Sequence, residues 1–454
     1  MPGRNDLARS CATLSVAGAA LCAGVVFSTS AFAGAFAVRE QSAYYQGMSF
    51  AGAAAGDDLS AMFWNSAAAA SAPGINTSTN IALVLPDTSI DVTDPTAAFA
   101  QTFGTAGSGD IGDPTLVPAS YANYQINESW FVGVALNSQF GFRTKPNNTA
   151  YAGSPLGITS EVFSVNLNPN LAYKLTDTLT MGVGLQVQYI DVRVRSGPFN
   201  LGSGIAGDGR ETEGDDWGVG ATAGVIWKPA PGTSIGVGYR SAIEVELEGS
   251  CSGTGLTTLS AQGGVFAAPG SLTPCDSNVT ADFTLPELVT ASFSQQIGER
   301  FRVLGTVEWT NWSRLGTPQI ISNTSGLPVD ELSLEYEDGW FFSGGVEYAY
   351  TPQVTLRTGL AYEISPIEDD TRNVILPDDD RLWLSFGATM KLTESTKVDI
   401  GYSHLFIEDS PITQISEDTG TLLFEGEADG DIDIVTVGIT HNWGGPEPAL
   451  EPLK

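Results

Sequence analysis

From about residue 75 onward the chain alternates between apolar residues and polar or small ones with a period of two. In 179–189, Leu179, Met181, Val183, Leu185, Val187 and Tyr189 fall on one face, and Thr180, Gly182, Gly184, Gln186 and Gln188 on the other. A strand reads this way when one face meets an apolar phase and the other a polar or crowded space. The dyad recurs in Ile235, Val237 and Tyr239 against Gly236, Gly238 and Arg240, and in Phe301, Val303, Val307 and Trp309 against Arg302, Thr306 and Glu308. It appears again in Val354, Leu356, Leu360 and Tyr362 against Thr355, Arg357 and Glu363, and in Leu382, Leu384, Phe386 and Met390 against Arg381, Ser385, Thr389 and Lys391. About fourteen such runs begin near residues 75, 116, 129, 158, 179, 215, 233, 282, 300, 335, 353, 379, 396 and 431.

The connections between runs also alternate. Short ones fall at 127–129, 176–178, 229–233, 298–300, 351–352 and 393–395, and long ones at 92–115, 142–157, 196–214, 250–281, 316–334, 365–378 and 408–430. A soluble β-sandwich alternates too, and periodicity alone leaves it open. Aromatic residues toward strand ends (Tyr239, Trp309, Tyr348, Tyr362, Trp443) and the short-turn, long-loop asymmetry favour an all-β membrane protein. The predicted fold is an antiparallel transmembrane β-barrel over 75–443, in which closure removes the exposed strand edges.

Residues 34–74 carry no long alternation and are crowded with Gly, Ala and Ser. A flexible linker has this composition, but Phe36, Tyr44, Tyr45, Phe50, Met62, Phe63 and Trp64 have no use in one. The stretch reads as an N-terminal hatch, or plug, inside the barrel. Residues 1–33 read as a signal peptide: Arg4 and Arg9 precede the apolar run 11–27, and Ala31, Phe32 and Ala33 fit the small-x-small cleavage rule. Leu21 before Cys22 argues against a lipoprotein signal. Past Ala33 no run of about 18 apolar residues occurs, which excludes a helical anchor.

Composition narrows the class further. The 454 residues carry a net charge of −32, are 42% hydrophobic and only 16% charged, and include 52 Gly and 9 Trp. No basic stripe exists to meet phosphates, so nucleic acid is not an expected partner. After Ala33 only Cys251 and Cys275 remain, in one long loop, and a disulfide is their expected use in an oxidising export compartment.

Several stretches resemble the outer-membrane long-chain fatty acid transporters of the FadL type, a family that includes TodX-like importers of aromatic hydrocarbons. They are GAFAVREQSAYYQGMSFAGAAAGDD, then DDWGVGATAGVIWKP with GYRSAIEVELEG, then FTLPELV, and above all RTGLAYEISPIEDDTRNVILPDDDRLWLSFG. The resemblance covers the whole chain after the leader. It implies a fourteen-stranded barrel closed by a hatch, passive import of hydrophobic molecules, capture among extracellular loops, an inner apolar site, and lateral release beside a kink in the third strand. Phe36 matches the residue that reaches into the inner ligand pocket. Asn65 matches the Asn of an Asn-Pro-Ala motif in the hatch, where Ser66 stands in place of Pro. The kink would fall near Asn137–Gly141, a place that also reads as the strand's extracellular end. Arg193 and Arg195 lie close to a family position whose Arg faces the ligand head group. A second cationic position aligns near the uncharged Leu332, so a neutral hydrocarbon stays open beside a long-chain fatty acid.

Other residues are read without the family. Arg240, Arg302, Glu308, Glu347, Arg357, Glu363 and Arg381 fall on the lumen face and suit ion pairs between hatch and wall. Acidic clusters at 368–370 and 378–380 could hold a divalent cation or simply face water. No metal site or cofactor is assigned. His404 and His441 are the only histidines and neither GxSxG nor HExxH occurs, so no enzyme is expected. A diffusion porin would have a wide, charged lumen without a plug. The expected protein is a monomer in outer-membrane lipid that binds hydrophobic small molecules, with a tail over 444–454 of unassigned role.

Overall fold

The alternating runs close into a ring. A computed structural model describes residues 34–200, 206–254, 275–332, 334–415 and 420–444, and fourteen antiparallel strands make its wall. They are β1 (Ile75–Val92), β2 (Thr115–Gln125), β3 (Trp130–Asn137, resuming over Phe142–Thr144), β4 (Thr159–Lys174), β5 (Leu179–Arg195), β6 (Gly209–Ala230) and β7 (Thr233–Arg240 and Ile243–Thr254). The other half is β8 (Ser277–Leu285 and Leu288–Ile297), β9 (Phe301–Thr310), β10 (Gly339–Ala349), β11 (Val354–Ile364), β12 (Arg381–Lys391), β13 (Thr396–Ile407) and β14 (Leu422–Gly444). β1 pairs with β2 on one side and along its whole length with β14 on the other, which closes the ring. The proposed leader 1–33 and the tail from residue 445 lie outside the described residues. No described helix is long and apolar enough to cross a membrane.

The period-two pattern sorts residues as expected. Met181, Val183 and Leu185 point outward at 47%, 57% and 47% exposure, while Gln186 and Gln188 are fully buried. An apolar outer band suits acyl chains, and polar lumen residues are tolerated because they never meet them. Sequence periodicity misplaced some strand ends. β6 begins at Gly209 rather than 215, β8 at Ser277 rather than 282, and β14 at Leu422 rather than 431. In these extensions the hydrogen-bond ladder continues, but the outward positions are Glu211, Glu213 and Asp215 on β6 and Glu427, Asp429 and Asp431 on β14. The apolar alternation ends where the strands rise out of the apolar layer, and the pairing does not. Cys251 at the top of β7 and Cys275 just before β8 form a disulfide with Cα atoms 5.4 Å apart.

Residues 34–74 lie inside the ring. Inner-face glycines let their backbone rest directly on the wall: a Cβ on Gly238 would sit 1.7 Å from Trp64 O, on Gly236 1.8 Å from Ala54 O, and on Gly359 2.2 Å from Met48 O. Wall hydroxyls and amides supply the hydrogen bonds that this irregular backbone lacks. Gly52 N donates to Thr306 Oγ1 at 2.9 Å, Ala54 N to Ser292 Oγ at 3.0 Å and Ala43 N to Asn80 Oδ1 at 3.0 Å. Non-helical backbone at membrane depth is stable only when such partners exist. Phe50 and Trp64 anchor the segment, with Phe50 5.9 Å from the ring of Trp383 on β12.

Gly238→Val should therefore unseat the inner segment while the wall still closes, lowering the heat-modification temperature on gels by on the order of 10 °C and raising sugar flux in liposome swelling. Gly344→Ala, whose Cβ meets nothing within 4 Å, should leave both unchanged.

Candidate functional site

The start of the inner segment ends at a cavity of about 720 Å³ among the extracellular ends of the strands. Phe36 forms part of its lining, with Phe142, Val162, Ile190, Val192 and Leu376. The Phe36 ring lies 4.7 Å from Trp312, 5.8 Å from Phe140 and 6.1 Å from Phe142. Aromatic edges packed in this way hold a ring in place without a polar bond. Charged groups also border the cavity: Arg210, Glu213, Asp330, Glu331, Glu335, Asp369 and Asp370. Arg210 is buried, reaches Asp330 Oδ2 at 2.6 Å and donates to Val329 O at 3.3 Å.

Beside Phe36 the wall is interrupted. The β2–β3 ladder ends at Ser120↔Leu136, and Thr115–Ala119 keep only β1 as a partner. Pro118, which has no N–H to donate, sits in that one-sided stretch. On the other side β3 pairs with β4 at Asn137↔Asn166 and again at Phe142↔Val162. Five residue steps on β3 thus face four on β4, and residues 138–141 bulge out of the ladder. Phe140 bonds to the Ser164 hydroxyl on β4 through both its N–H and its carbonyl, and the neighbouring residues bond to the inner segment. Val38 N donates to Gln139 O at 2.9 Å, Gly141 N to Phe36 O at 2.9 Å, and Gln41 Nε2 to Ser138 O at 2.5 Å. Both side-chain amide atoms of the buried Asn137 lack a partner.

Below the cavity, charges tie the inner segment to the wall. Arg39 pairs with Glu308 and with Glu363 at 3.1 Å, Asp57 lies 3.6 Å from Arg302, and Asp58 pairs with Lys397. Arg240 donates to Phe63 O at 2.9 Å and to Gln139 Oε1 at 3.1 Å. Arg357 bridges Glu347 at 2.8 Å and Asp399 at 3.3 Å. Buried charges persist when paired this way. Glu40 differs: it is fully buried and neither carboxylate oxygen has a partner.

Comparison with known proteins gives this arrangement a family. A family model described as outer membrane protein transport protein (OMPP1/FadL/TodX) matches residues 24–443. The chain belongs to this family. The long-chain fatty acid transport protein of Escherichia coli K12 is 25% identical over 377 residues, covering 75% of this chain and 79% of that protein. Outer membrane protein P1 of Haemophilus influenzae is 26% identical over 331 residues, covering 66% and 68%. Among solved structures, a Pseudomonas aeruginosa FadL homologue superposes with a TM-score of 0.79 at 22% identity, over 90% of this chain and 100% of the other. The Pseudomonas putida toluene transporter TodX gives 0.66 at 16%, over 88% and 98%. These two share the fold. The transporter resides in the outer membrane, as its family and barrel require.

The residues singled out by sequence are placed unevenly in this transporter. Phe36, Asn137 and Gly141 come together at the cavity floor and the wall break. Asn65 lies elsewhere and acts as a clasp: its Oδ1 accepts from Ala67 N at 3.0 Å, and its Nδ2 donates to Ala54 O at 2.8 Å and Val225 O at 3.0 Å. Arg193 and Arg195 require correction as head-group ligands. They share the outward parity of Met181 and Val183, whereas Val192 and Val194 line the cavity, and Arg193 pairs with Glu213 at 2.7 Å. Arg210 and Trp312 were missed. Arg210 follows the inward parity of Gly218, Thr222 and Gly224 on β6, and only the late start assigned to that strand hid it. Three of the six acidic loop residues are bound to cations of the chain: Arg372 pairs with Asp369 and Asp379, and Arg381 with Asp378.

Burial pushes the Glu40 carboxyl up to about 7, with the charge of Arg39 among the weaker opposing effects. The folded protein then binds a proton that the unfolded chain releases near its ordinary value. The stability this contributes is complete at low pH and is lost as pH rises through about 7. Wild-type melting temperature should fall between about pH 5 and 8, and Glu40→Gln should flatten that slope in a pH series of thermal melts.

Proposed function

We propose that this transporter carries hydrophobic molecules inward by capture in the cavity, retention against Phe36 and sideways release between β2 and β3. One observation carries the reading: the apolar cavity ends at Phe36, and the same stretch of chain, 36–38, takes up the hydrogen bonds of Gln139 and Gly141 at the gap in the wall. An apolar molecule leaving there enters the acyl phase directly and avoids the watery periplasmic mouth. Residues 34–74 serve as the hatch that closes that mouth. Cavity, hatch and gap belong to one barrel, so a monomer suffices, and the surrounding outer-membrane lipid receives the ligand.

Long-chain fatty acids are the first substrate class, in keeping with the name of the Escherichia coli relative. Arg210 supplies the guanidinium suited to a carboxylate. A neutral hydrocarbon is the second reading, and a specific observation favours it. Arg210 is already paired with Asp330, and Glu335 and Asp370 at the cavity border present like charge to an incoming carboxylate. The Pseudomonas putida relative is named a toluene transporter.

Deleting Gln139 equalises the spacing of β3 and β4 across the break and should bring uptake of both oleate and hexadecane to background, with heat-modifiable mobility retained. Undiminished uptake by that folded variant would sink the lateral route and favour passage through the hatch. Arg210→Gln separates the substrates: oleate uptake should fall about tenfold if a charge-assisted bond is lost, with hexadecane unaffected. Equal uptake of both assigns the cavity to neutral ligands.

A further inference from the structure

Above the apolar band β7 and β8 run side by side to their last ladder pair, Cys251↔Ser277, and on its other side Cys251 pairs with Thr212 of β6. The disulfide to Cys275 closes the two strand tops just past that pair, where Cys275 N also donates to Gly253 O at 2.9 Å. Both cysteines are buried, and they pack with Val279, Ile320 and Val329 and with the partly buried Ala281 and Leu332. Val279, Ala281, Ile320 and Leu332 also line the cavity, as does Thr212, whose hydroxyl donates to Cys251 Sγ at 3.5 Å. We infer that the Cys251–Cys275 disulfide is a positioning element for ligand capture: it holds the hairpin formed by Gln319–Ser322 and Pro328–Glu331 in the place where that hairpin completes the cavity wall. The inference rests on the cavity being the site of capture, and is independent of the route of release.

The ladder from this hairpin to the wall is short. It consists of Val279↔Ser322 and Thr280↔Ile321, followed by bonds from Asn323 N to Asn278 O at 2.9 Å and from Thr280 Oγ1 to Asn323 Oδ1 at 3.3 Å. Its own two strands pair at Gln319↔Glu331, Ile320↔Asp330 and Ile321↔Pro328, with an irregularity between the second and third pairs. A two-stranded hairpin of this length is marginal in water and needs apolar residues packed on something fixed. Here those residues are Ile320 and Val329, and what they meet is the disulfide. A cross-link between positions 24 residues apart removes the chain entropy that would otherwise separate the strand tops, so the platform beneath the hairpin stays in place.

Through the hairpin the cross-link reaches the cation at the cavity border. Val329 O accepts from Arg210 Nη1 at 3.3 Å, and Asp330 Oδ2 lies 2.6 Å from the same nitrogen. Ile320 and Leu332 carry the apolar wall onward from Val279 and Ala281 of β8. Loss of the bond would let the hairpin and Arg210 shift together, while the ring closed by β1 and β14 and the bulge at residues 138–141 stay as they are. The effect then falls on binding, because a cavity whose wall must be ordered by its ligand holds that ligand less tightly than one already in place.

The double variant Cys251→Ala/Cys275→Ala removes the bond and keeps the cluster apolar. Hydrogen exchange of the backbone amides in 319–331 should rise at least ~10-fold in it, with β1 unchanged. For whichever of oleate and hexadecane the wild type takes up, the concentration giving half-maximal uptake should rise about fivefold with the maximal rate retained. Wild-type protein refolded and kept under a reductant retains both sulfurs and should show the same faster exchange. Unchanged exchange in either preparation overturns the inference, and so does loss of heat-modifiable mobility, which would make the pair a support of the whole barrel. Faster exchange at 319–331 with an unchanged half-maximal concentration upholds the brace and overturns the capture reading, so the two fail separately.

Discussion

Every backbone N–H and C=O of a strand inside a bilayer must find a partner in the protein, because hydrocarbon offers none. That requirement is met here by the ladder between β1 and β14, unbroken from Ile75 to Val92 apart from one bulge at its periplasmic end. With the first and last strands paired, no edge remains on that side, and the apolar outer residues become stable against lipid. The same rule exposes a place beside Phe36 where the wall departs from it. Past Leu136, β3 leaves β2, and its backbone groups turn inward to Phe36, Val38 and Gln41. The gap is stable because the inner segment takes over the hydrogen bonding of Ser138, Gln139 and Gly141. Wall and segment are therefore coupled: a movement of residues 36–41 takes away the partners of Ser138 O, Gln139 O and Gly141 N, while Phe140 keeps its bonds to Ser164 on β4.

The lumen solves a second problem, that of keeping many charges in a space filled by protein. Arg39, Arg302, Arg357 and Lys397 each contact more than one carboxylate, and the segment contributes Arg39, Asp57 and Asp58 to the set. Removing one partner from such a buried network costs several kcal/mol in general, because the remaining charge stays desolvated. Hydrophobic anchoring through Phe50 and Trp64 and glycine-mediated contact with the wall then give the segment one seat rather than several. Glu40 and Asn137 stand apart as buried groups without hydrogen-bond partners, and both lie where the segment meets the cavity and the gap. Unsatisfied groups of this kind concentrate at functional places in otherwise well-satisfied proteins.

Outside the bilayer the physics changes again. The strands continue as paired ladders with acidic outward faces, and these extensions supply part of the cavity lining, Arg210 and Thr212 on β6 among it. Much of the chain's negative charge resides there, on β6, β7 and β14 and in the loop before β12. Its effect at the cavity is local, since charges farther apart than a Debye length of about 8 Å are screened at physiological salt. What bears on a ligand is thus the set at the cavity border, where Arg210 is the cation among several carboxylates.

The period-two pattern determined the barrel, its strand count and which face meets lipid, because those depend only on side-chain parity along each strand. Met181 and Val183 pointed outward and Gln186 inward in sequence and in structure alike. Sequence also marked Phe36, Gly141 and the aromatic content of 34–74, each legible because a residue type stood out against its neighbours. It did not determine the ends of β6, β8 and β14, since strands above the bilayer lose the apolar face on which the reading relied. For that reason Arg210 was overlooked, while Arg193 and Arg195 were named from a family position and not from their parity on β5. Only the tertiary structure decided that residues 138–141 bond to 36–41, that Gly238 and Gly359 are seats for backbone, and that Gly34 N reaches Glu363. These contacts join residues from 97 to 329 positions apart, across a closed ring, and no local pattern in the chain encodes such distances.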